Sequence, residues 1–241
     1  MIVLERLSEI GNATLSELAA DLGQAPASVY RVLVTLQGRG IVGYEADGQI
    51  WHIGPTAYLI GSRFLRRTSL VERARPVLRR LMEQTGETAN LGIAREGQVL
   101  FVSQVETHAT IRAFFPPGTM SPMHASGIGK ALLAHMPDDD RDRLLDGQEL
   151  TQFTQFTCAD RPALEADLAQ IKARGYSIDA EEKNLGMRCI AAPIFDVYGE
   201  TVAGISVSGP TSRVRVALTA DIATHVKAAA KALTHALGGP S

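Results

Sequence analysis

Apolar and polar residues along the first fifty positions follow two rhythms in turn, one helical and one strand-like. In "TLSELAADLG", Leu15, Leu18, Ala19 and Leu22 recur at the spacing of one helix face. Thr14 with Glu17 three residues on forms a capping box, in which side chains satisfy backbone donors of the first turn, and Gly23 ends the run. Pro26 suits the first turn of a second helix, "PASVYRVLVTLQGRG", whose expected buried stripe is Val29, Val32, Leu33 and Leu36. Ala27, Ser28, Arg31 and Thr35 then face outward, with Tyr30 and Val34 at the edge. The rhythm changes in "IVGYEADGQIWHIG", two short strand-like runs about Asp47-Gly48, which is a strong hairpin signal. Helix, tight turn, helix and hairpin is the order of a winged helix-turn-helix.

The next segment, "PTAYLIGSRFLRRT", places Ala57, Ile60, Gly61 and Phe64 on one side of a helix. So small a domain offers that side no partner, which predicts a linker helix engaged in a dimer contact. From about Ser69 the pattern turns to mixed α and β. "SLVERARPVLRRLMEQTG" reads as a helix around Pro76, "TANLGIAREGQVLFVSQVE" as two strands about Glu96-Gly97, and "TIRAFF" as a third strand. "ASGIGKALLAH", "PDDDRDRLLDG" and "RPALEADLAQIKARG" read as helices, "RCIAAPIFD" and "ETVAGISVSG" as a hairpin, and "ALTADIATHVKAAAKALTHALGG" as a closing amphipathic helix. The expected class is therefore α+β, in three parts: a winged helix-turn-helix domain at 1–54, a linker helix at 55–68, and a GAF-like domain with an antiparallel sheet at 69–241.

Composition narrows the setting. A chain of 241 residues, 45% of them hydrophobic, has room for one large domain or two smaller ones. No stretch approaches eighteen unbroken apolar residues, and "MIVLERLSEIGN" is too short and too acidic for a signal peptide, so a cytoplasmic protein with no membrane partner is expected. Cys158 and Cys189 lack metal-type spacing and are expected to be free thiols. The net charge of −2 conceals a modest cationic face around Arg31 and Arg39, with Arg63, Arg66 and Arg67 further on.

The chemistry-bearing stretch is "MHASGIGKALLAH", Met123 to His135. A phosphate loop is excluded, because Ala131 follows Lys130 where magnesium would need a hydroxyl, and His124 stands where the first glycine belongs. "GISVS", Gly204 to Ser208, misses the nucleophile elbow at its last position, and the Gly209-Pro210 step that follows prevents the strand-to-helix turn. The six histidines are dispersed, and neither a metal nor a cofactor is called for. What the stretch does offer is a helix start whose free amides near Gly127 and Ile128 suit a carboxylate; the alternative is that these glycines merely let the helix pack close. In "TVAGISVSG", alternation puts Gly204, Ser206 and Ser208 on one face, natural for a polar cavity, with serines exposed on an edge strand as the alternative. A two-residue turn at Val197-Tyr198 sets Cys189 across from Ser206, whereas a bulged loop using Gly199 slips the register by one; "DVYG" favours the bulge. His124 is expected to support its loop and Lys130 to reach solvent.

"SVYRVLVTLQGRGIV", "HIGPTAYLIG", "PMHASGIGKALLA" and "EEKNLGMRCIAAPIFDVYGETVAGISVSGP" together resemble the IclR family of bacterial transcription regulators, and they span nearly the whole chain in order. The resemblance implies a regulator, a repressor in preference to an activator, that binds operator DNA as a homodimer, with a dimer of dimers as the alternative, under control of a small organic acid. It places DNA contacts at Ala27, Ser28, Tyr30, Arg31 and Thr35. Effector contacts fall at Gly127, Ile128, Asp179, Cys189, Ser206 and Ser208, with no catalytic residue; Asp179 is alternatively a solvated strand-end acid. Family members usually carry more residues before the first helix, so an N-terminal arm is expected to be missing here or to lie upstream. The rival readings are a GAF-like enzyme using Cys189 or His124 and an interaction module without a ligand.

Overall fold

The computed structural model describes residues 2–67, 69–146 and 149–240, with side chains of 62–67 and 69 left aside. The chain divides into two compact units, Met1–Thr68 and Ser69–Ser241. Among the described residues no helix is long and apolar enough to cross a membrane.

The first unit runs α1 (Ile2–Ile10), β1 (Asn12–Thr14), α2 (Leu15–Asp21), α3 (Pro26–Gln37), β2 (Val42–Glu45), β3 (Ile50–Ile53) and α4 (Pro55–Arg67). The capping box of α2 forms as the sequence dictates: Thr14 Oγ1 accepts from the Glu17 amide, and the Glu17 carboxylate accepts from the Thr14 amide at 2.8 Å. Val3, Leu7, Leu18, Val29, Leu33, Val42 and Trp51 fill the interior. Val32 does not join them and is 38% exposed; the narrow core takes a stripe centred on Val29, Leu33 and Leu36. The wing turn spans Ala46 to Gln49, with Gly48 at φ 80°, a conformation only glycine adopts without strain. β1 is an addition to the reading above. Its three residues pair with β3 to complete a sheet ordered β1-β3-β2, and so short a run carries no periodicity. On α4, Tyr58, Leu59 and Ile60 are exposed; Phe64, Arg63, Arg66 and Arg67 lie outside the described side chains.

The second unit holds α5 (Ser69–Thr85), β4 (Thr88–Arg95), β5 (Gln98–Val105), β6 (Met120–Pro122), α6 (Gly127–His135), α7 (Asp138–Asp146), α8 (Arg161–Arg174), β7 (Ser177–Ala180), β8 (Met187–Phe195), β9 (Thr201–Pro210) and α9 (Thr219–Ala236). The strands form one antiparallel sheet ordered β6-β5-β4-β9-β8-β7. Strand β9 is therefore central, which excludes the reading of its serines as edge residues. Helix α6 covers the face carrying Gly204, Ser206 and Ser208, with α8 packed on α6, while α5 and α9 pack on each other and on the face of Ile190, Ile205 and Val207.

Three expectations are corrected here. "TIRAFF" is not a strand: Arg112 pairs with Glu106, Ile111 and Phe114 stand exposed, and the Ile111 carbonyl accepts from Arg213 at 2.8 Å, leaving no ladder to join. The third strand of that half is Met120–Pro122, paired to β5. The β8–β9 loop is the three-residue one that Gly199 favours, with φ 78° there and the Asp196 amide bonded to the Glu200 carbonyl at 3.0 Å. A second irregularity follows between Ile194 and Phe195, so Cys189 stands opposite Ser208 and Ala191 opposite Ser206. Two slips of one residue restore the original face.

Lys130 is the third correction. It is 1% exposed, and its Nζ donates to Asp167 and Glu182 at 2.6 Å each. One cation thus ties α6 to α8 and to the turn after β7. Burial opposes its charge, yet the two carboxylates outweigh burial and raise its pKa, while burial pushes Glu182 up to about 7. Lys130→Met strands Glu182 in the interior, while Asp167 keeps Arg174, and is expected to cost the second unit about 3–5 kcal/mol in urea denaturation. Because Glu182 then escapes its charge by taking a proton, the loss measured at pH 8 should exceed that at pH 5.

Candidate functional site

The start of α6 meets the sheet at the centre of the second unit. Ser126 caps it, its Oγ accepting from the Gly129 amide at 3.4 Å, so the amides of Gly127 and Ile128 are the first donors the helix cannot use itself. A Cβ on Gly127 would lie 2.8 Å from Cys189 Sγ, and one on Gly129 2.3 Å from the Met123 carbonyl oxygen. Gly127 lets bare backbone approach strand β8 and Gly129 lets it approach the turn before the helix, and a cavity is left in front of that backbone.

The six residues inferred for the effector, Gly127, Ile128, Asp179, Cys189, Ser206 and Ser208, all line this one cavity, together with Ser121, Lys183, Asn184, Arg188 and the rings of Phe101 and Phe115. Its free space is about 20 Å³ for water centres, enough for roughly one or two waters. Ser206 and Ser208 are fully buried on β9, and the Asn90 side-chain amide donates to their hydroxyls at 3.3 and 3.2 Å. Gln104 in turn donates to Asn90 Oδ1 at 2.9 Å. The serine hydroxyl protons are thus left to point toward the cavity and Cys189.

Asp179 sits on β7 opposite Cys189, with its Oδ1 accepting from the Glu182 amide at 2.8 Å. Burial raises its pKa to about 6, against the pull of that amide and of Lys130 and Lys183. Burial, reinforced by Asp179, pushes the Cys189 thiol up to about 11, so it stands in the cavity as a neutral group. Opposing the one acid are Lys183, whose Nζ donates to Ser121 Oγ at 2.8 Å, and Arg188, which donates to the Val214 carbonyl at 2.6 Å. Asn90, Lys183 and Arg188 were missed in the sequence. The alternation "MRC" and "NLG" marks a strand and a turn but not which side chains reach the hollow; Asn90 was discoverable as an amide at the centre of an otherwise apolar strand.

His124 and Cys189 do not make a reactive pair. The imidazole Nε2 is 3.0 Å from the Thr151 carbonyl and its ring packs on Phe153, so it braces the preceding loop as expected. Both cysteines are free.

In the first unit, Ala27, Tyr30, Arg31 and Thr35 lie exposed on α3 and Ser28 is half-buried. Thr35 Oγ1 donates back to the Arg31 carbonyl at 2.7 Å, and Tyr30 packs edge-on against Trp51 at 6.3 Å, which in turn contacts Tyr44 at 4.7 Å. The aromatic trio fixes α3 to the wing. Arg31 stands on the exposed face of α3.

A winged helix-turn-helix unit followed in the same chain by an α+β unit around a partly enclosed cavity with polar groups in its wall is the build of a ligand-responsive transcriptional regulator. The family model described as the IclR helix-turn-helix domain matches residues 1–46, and that described as "Bacterial transcriptional regulator IclR C-terminal" matches 62–235. The chain is similar to the HTH-type transcriptional regulator BhcR of Paracoccus denitrificans, 56% identical over 96% of this chain and 83% of that protein. It is 39% identical to the transcriptional repressor IclR of Escherichia coli over 98% of this chain and 88% of that one. The IclR crystal structure from Thermotoga maritima matches with a TM-score of 0.82 at 27% identity, covering 98% of this chain and 96% of that chain. The protein belongs to the IclR family of bacterial transcriptional regulators, and the enzyme alternative is set aside.

The close approach at Gly127 can be measured. Gly127→Ala is expected to lower stability by about 1–3 kcal/mol in chemical denaturation. Adding Cys189→Ala, which removes the sulfur the new methyl meets, should return most of that loss.

Proposed function

We propose that the protein represses catabolic genes and that its hold on operator DNA is set by a small organic acid in the cavity of the second unit. What carries the reading is the cavity lining: free helix amides, two serine hydroxyls and two cations facing a single acid whose charge burial disfavours. The limited free space favours a small acid. In this reading Gly127 and Ile128 hold the carboxylate, Ser206, Ser208 and Cys189 bond its remaining oxygens, and a protonated Asp179 donates to it. The E. coli relative is named a repressor, which supports the same sign here.

At the DNA, α3 enters the major groove with Ser28, Arg31 and Thr35 toward bases or phosphates, Ala27 allowing close approach and Tyr30 flanking. The wing residues Asp47 to Gln49 run along the backbone. The protein works in the cytoplasm as a homodimer, with α4 as its linker helix between a DNA-binding part at 1–54 and an effector part at 69–241. Its exposed Tyr58, Leu59 and Ile60 suit a helix-to-helix contact between copies. Acid binding shifts the population of dimer geometries through its different affinity for them.

A mobility-shift assay on the DNA upstream of the chain's own gene tests the first half. The wild-type chain should bind, and Arg31→Ala should weaken binding about tenfold or more; full affinity in Arg31→Ala removes that residue from the interface. For the second half, a thermal-shift panel of formate, acetate, glycolate, lactate, pyruvate, oxalate and malonate should raise the melting temperature for at least one acid. That rise should vanish in the Ser206→Ala/Ser208→Ala double variant.

The pH dependence has a definite sign. A carboxylate bound beside Asp179 raises that group's pKa further above 6, so binding takes up a proton. Affinity should be highest below pH 6 and fall as the pH rises through 6 toward the higher value in the complex. Lys130, Lys183 and Glu182 share the same surroundings, and Asp179→Asn should flatten the profile. Titration calorimetry from pH 5 to 8 reads both.

A further inference from the structure

Strands β6 and β7 are the two outer strands of the six, yet both line the cavity, through Ser121 and Asp179. The residue that joins these distant edges is Lys183, three residues past the end of β7, whose ammonium donates to Ser121 Oγ on β6 at 2.8 Å. A hydrogen bond in the wall of the cavity thus links the segment after one edge strand to the other edge strand. Its two halves are unequally matched. Lys130, the other interior lysine, has two carboxylates at 2.6 Å. Lys183 has a neutral hydroxyl, and Asp179 acts on its charge only from farther away. Among the described residues no carboxylate stands within ion-pair distance of it, although burial already disfavours its charge.

A partly desolvated ammonium held by a hydroxyl gains by exchanging that partner for a carboxylate, because a full opposite charge compensates the burial of its own charge and a hydroxyl dipole does so only in part. We propose that Lys183 is a specificity-determining residue of the cavity: its ammonium leaves Ser121 and pairs with the carboxylate of an entering acid, so the site takes acids over their neutral analogues. The proposal rests on the reading of the cavity as an acid receptor. The Gly127 and Ile128 amides take one carboxylate oxygen and Lys183 the other. Ser121 is then the competitor of the ligand for the same cation. Removing the cation and removing its competitor must therefore act in opposite directions, which no purely structural role of either residue requires.

The test uses the acid of the panel that stabilises the full chain most, and the primary amide of that same acid, each titrated calorimetrically. The wild-type chain should bind the acid more tightly than the amide. Lys183→Gln, which keeps a hydrogen-bond donor for Ser121, should weaken acid binding about 10- to 100-fold and leave the amide unchanged. Ser121→Ala should tighten acid binding severalfold, again without moving the amide. Equal binding of acid and amide by the wild-type chain, or parallel loss of both in Lys183→Gln, overturns the proposal while leaving the cavity as the receptor. Should Lys183→Gln fail to fold, Ser121→Ala decides alone: tighter acid binding upholds the proposal, and unchanged or weaker binding overturns it. A panel in which no acid binds the wild-type chain overturns the reading of the cavity itself, and is told apart by that result.

Discussion

The approach of α6 to the sheet, backbone against strand with no side chain between, is the constraint from which the second unit takes its form. Gly127 passes over Cys189, Gly129 passes over the backbone of Met123, and Gly204 makes room on the strand for Ile128, with a Cβ there only 2.7 Å from its Cγ2. Interiors are packed as densely as organic crystals, so contacts this close define the position of the helix to a fraction of an ångström. The amides at the helix start are thereby held facing Ser206 and Ser208. A hollow remains because the side chains that would fill it, at Gly127 and at the serines, are absent or short.

Charge in the interior follows from the same placement. Fixing α6 buries Lys130, and burying a lysine obliges the fold to supply partners, which come from α8 and from the turn after β7. That turn also carries Lys183, and Asp179 stands just before it on β7. The groups that anchor the helix and the groups that line the cavity are thus neighbours on a few residues of chain, and a change in the protonation of one is felt by the next. Burial, against the pull of the neighbouring lysines, is why two acids beside the site, Asp179 and Glu182, both hold protons well above the usual carboxylate range.

Most of this was legible in the sequence where local chemistry speaks for itself. The Thr14–Glu17 capping box, Pro26 opening α3, the glycine at 175 closing α8 with φ 77°, and the alternation that turns Ser206 and Ser208 to one face are all local signals, and each stands where its residues put it. What the sequence withheld was non-local. "TIRAFF" has the composition of a strand but no neighbouring edge, and composition does not know where edges are. Lys130 on an amphipathic pattern reads as a solvent-facing lysine, since its partners Asp167 and Glu182 lie far along the chain. The β8–β9 register depended on a second bulge with no residue signature, and Asn90 became visible as part of the site only when β4 was seen to run beside β9.

Cys189 carries one last consequence. A thiol at the heart of a sensor is the feature expected of a protein that answers oxidants, because peroxide and disulfides react with the thiolate. With its pKa near 11, only about one molecule in ten thousand carries that thiolate at neutral pH. The two serine hydroxyls beside it favour the thiolate, but burial outweighs them. Cys189 is accordingly a poor target for peroxide, and the chemistry left to it in the cavity is that of a small neutral group.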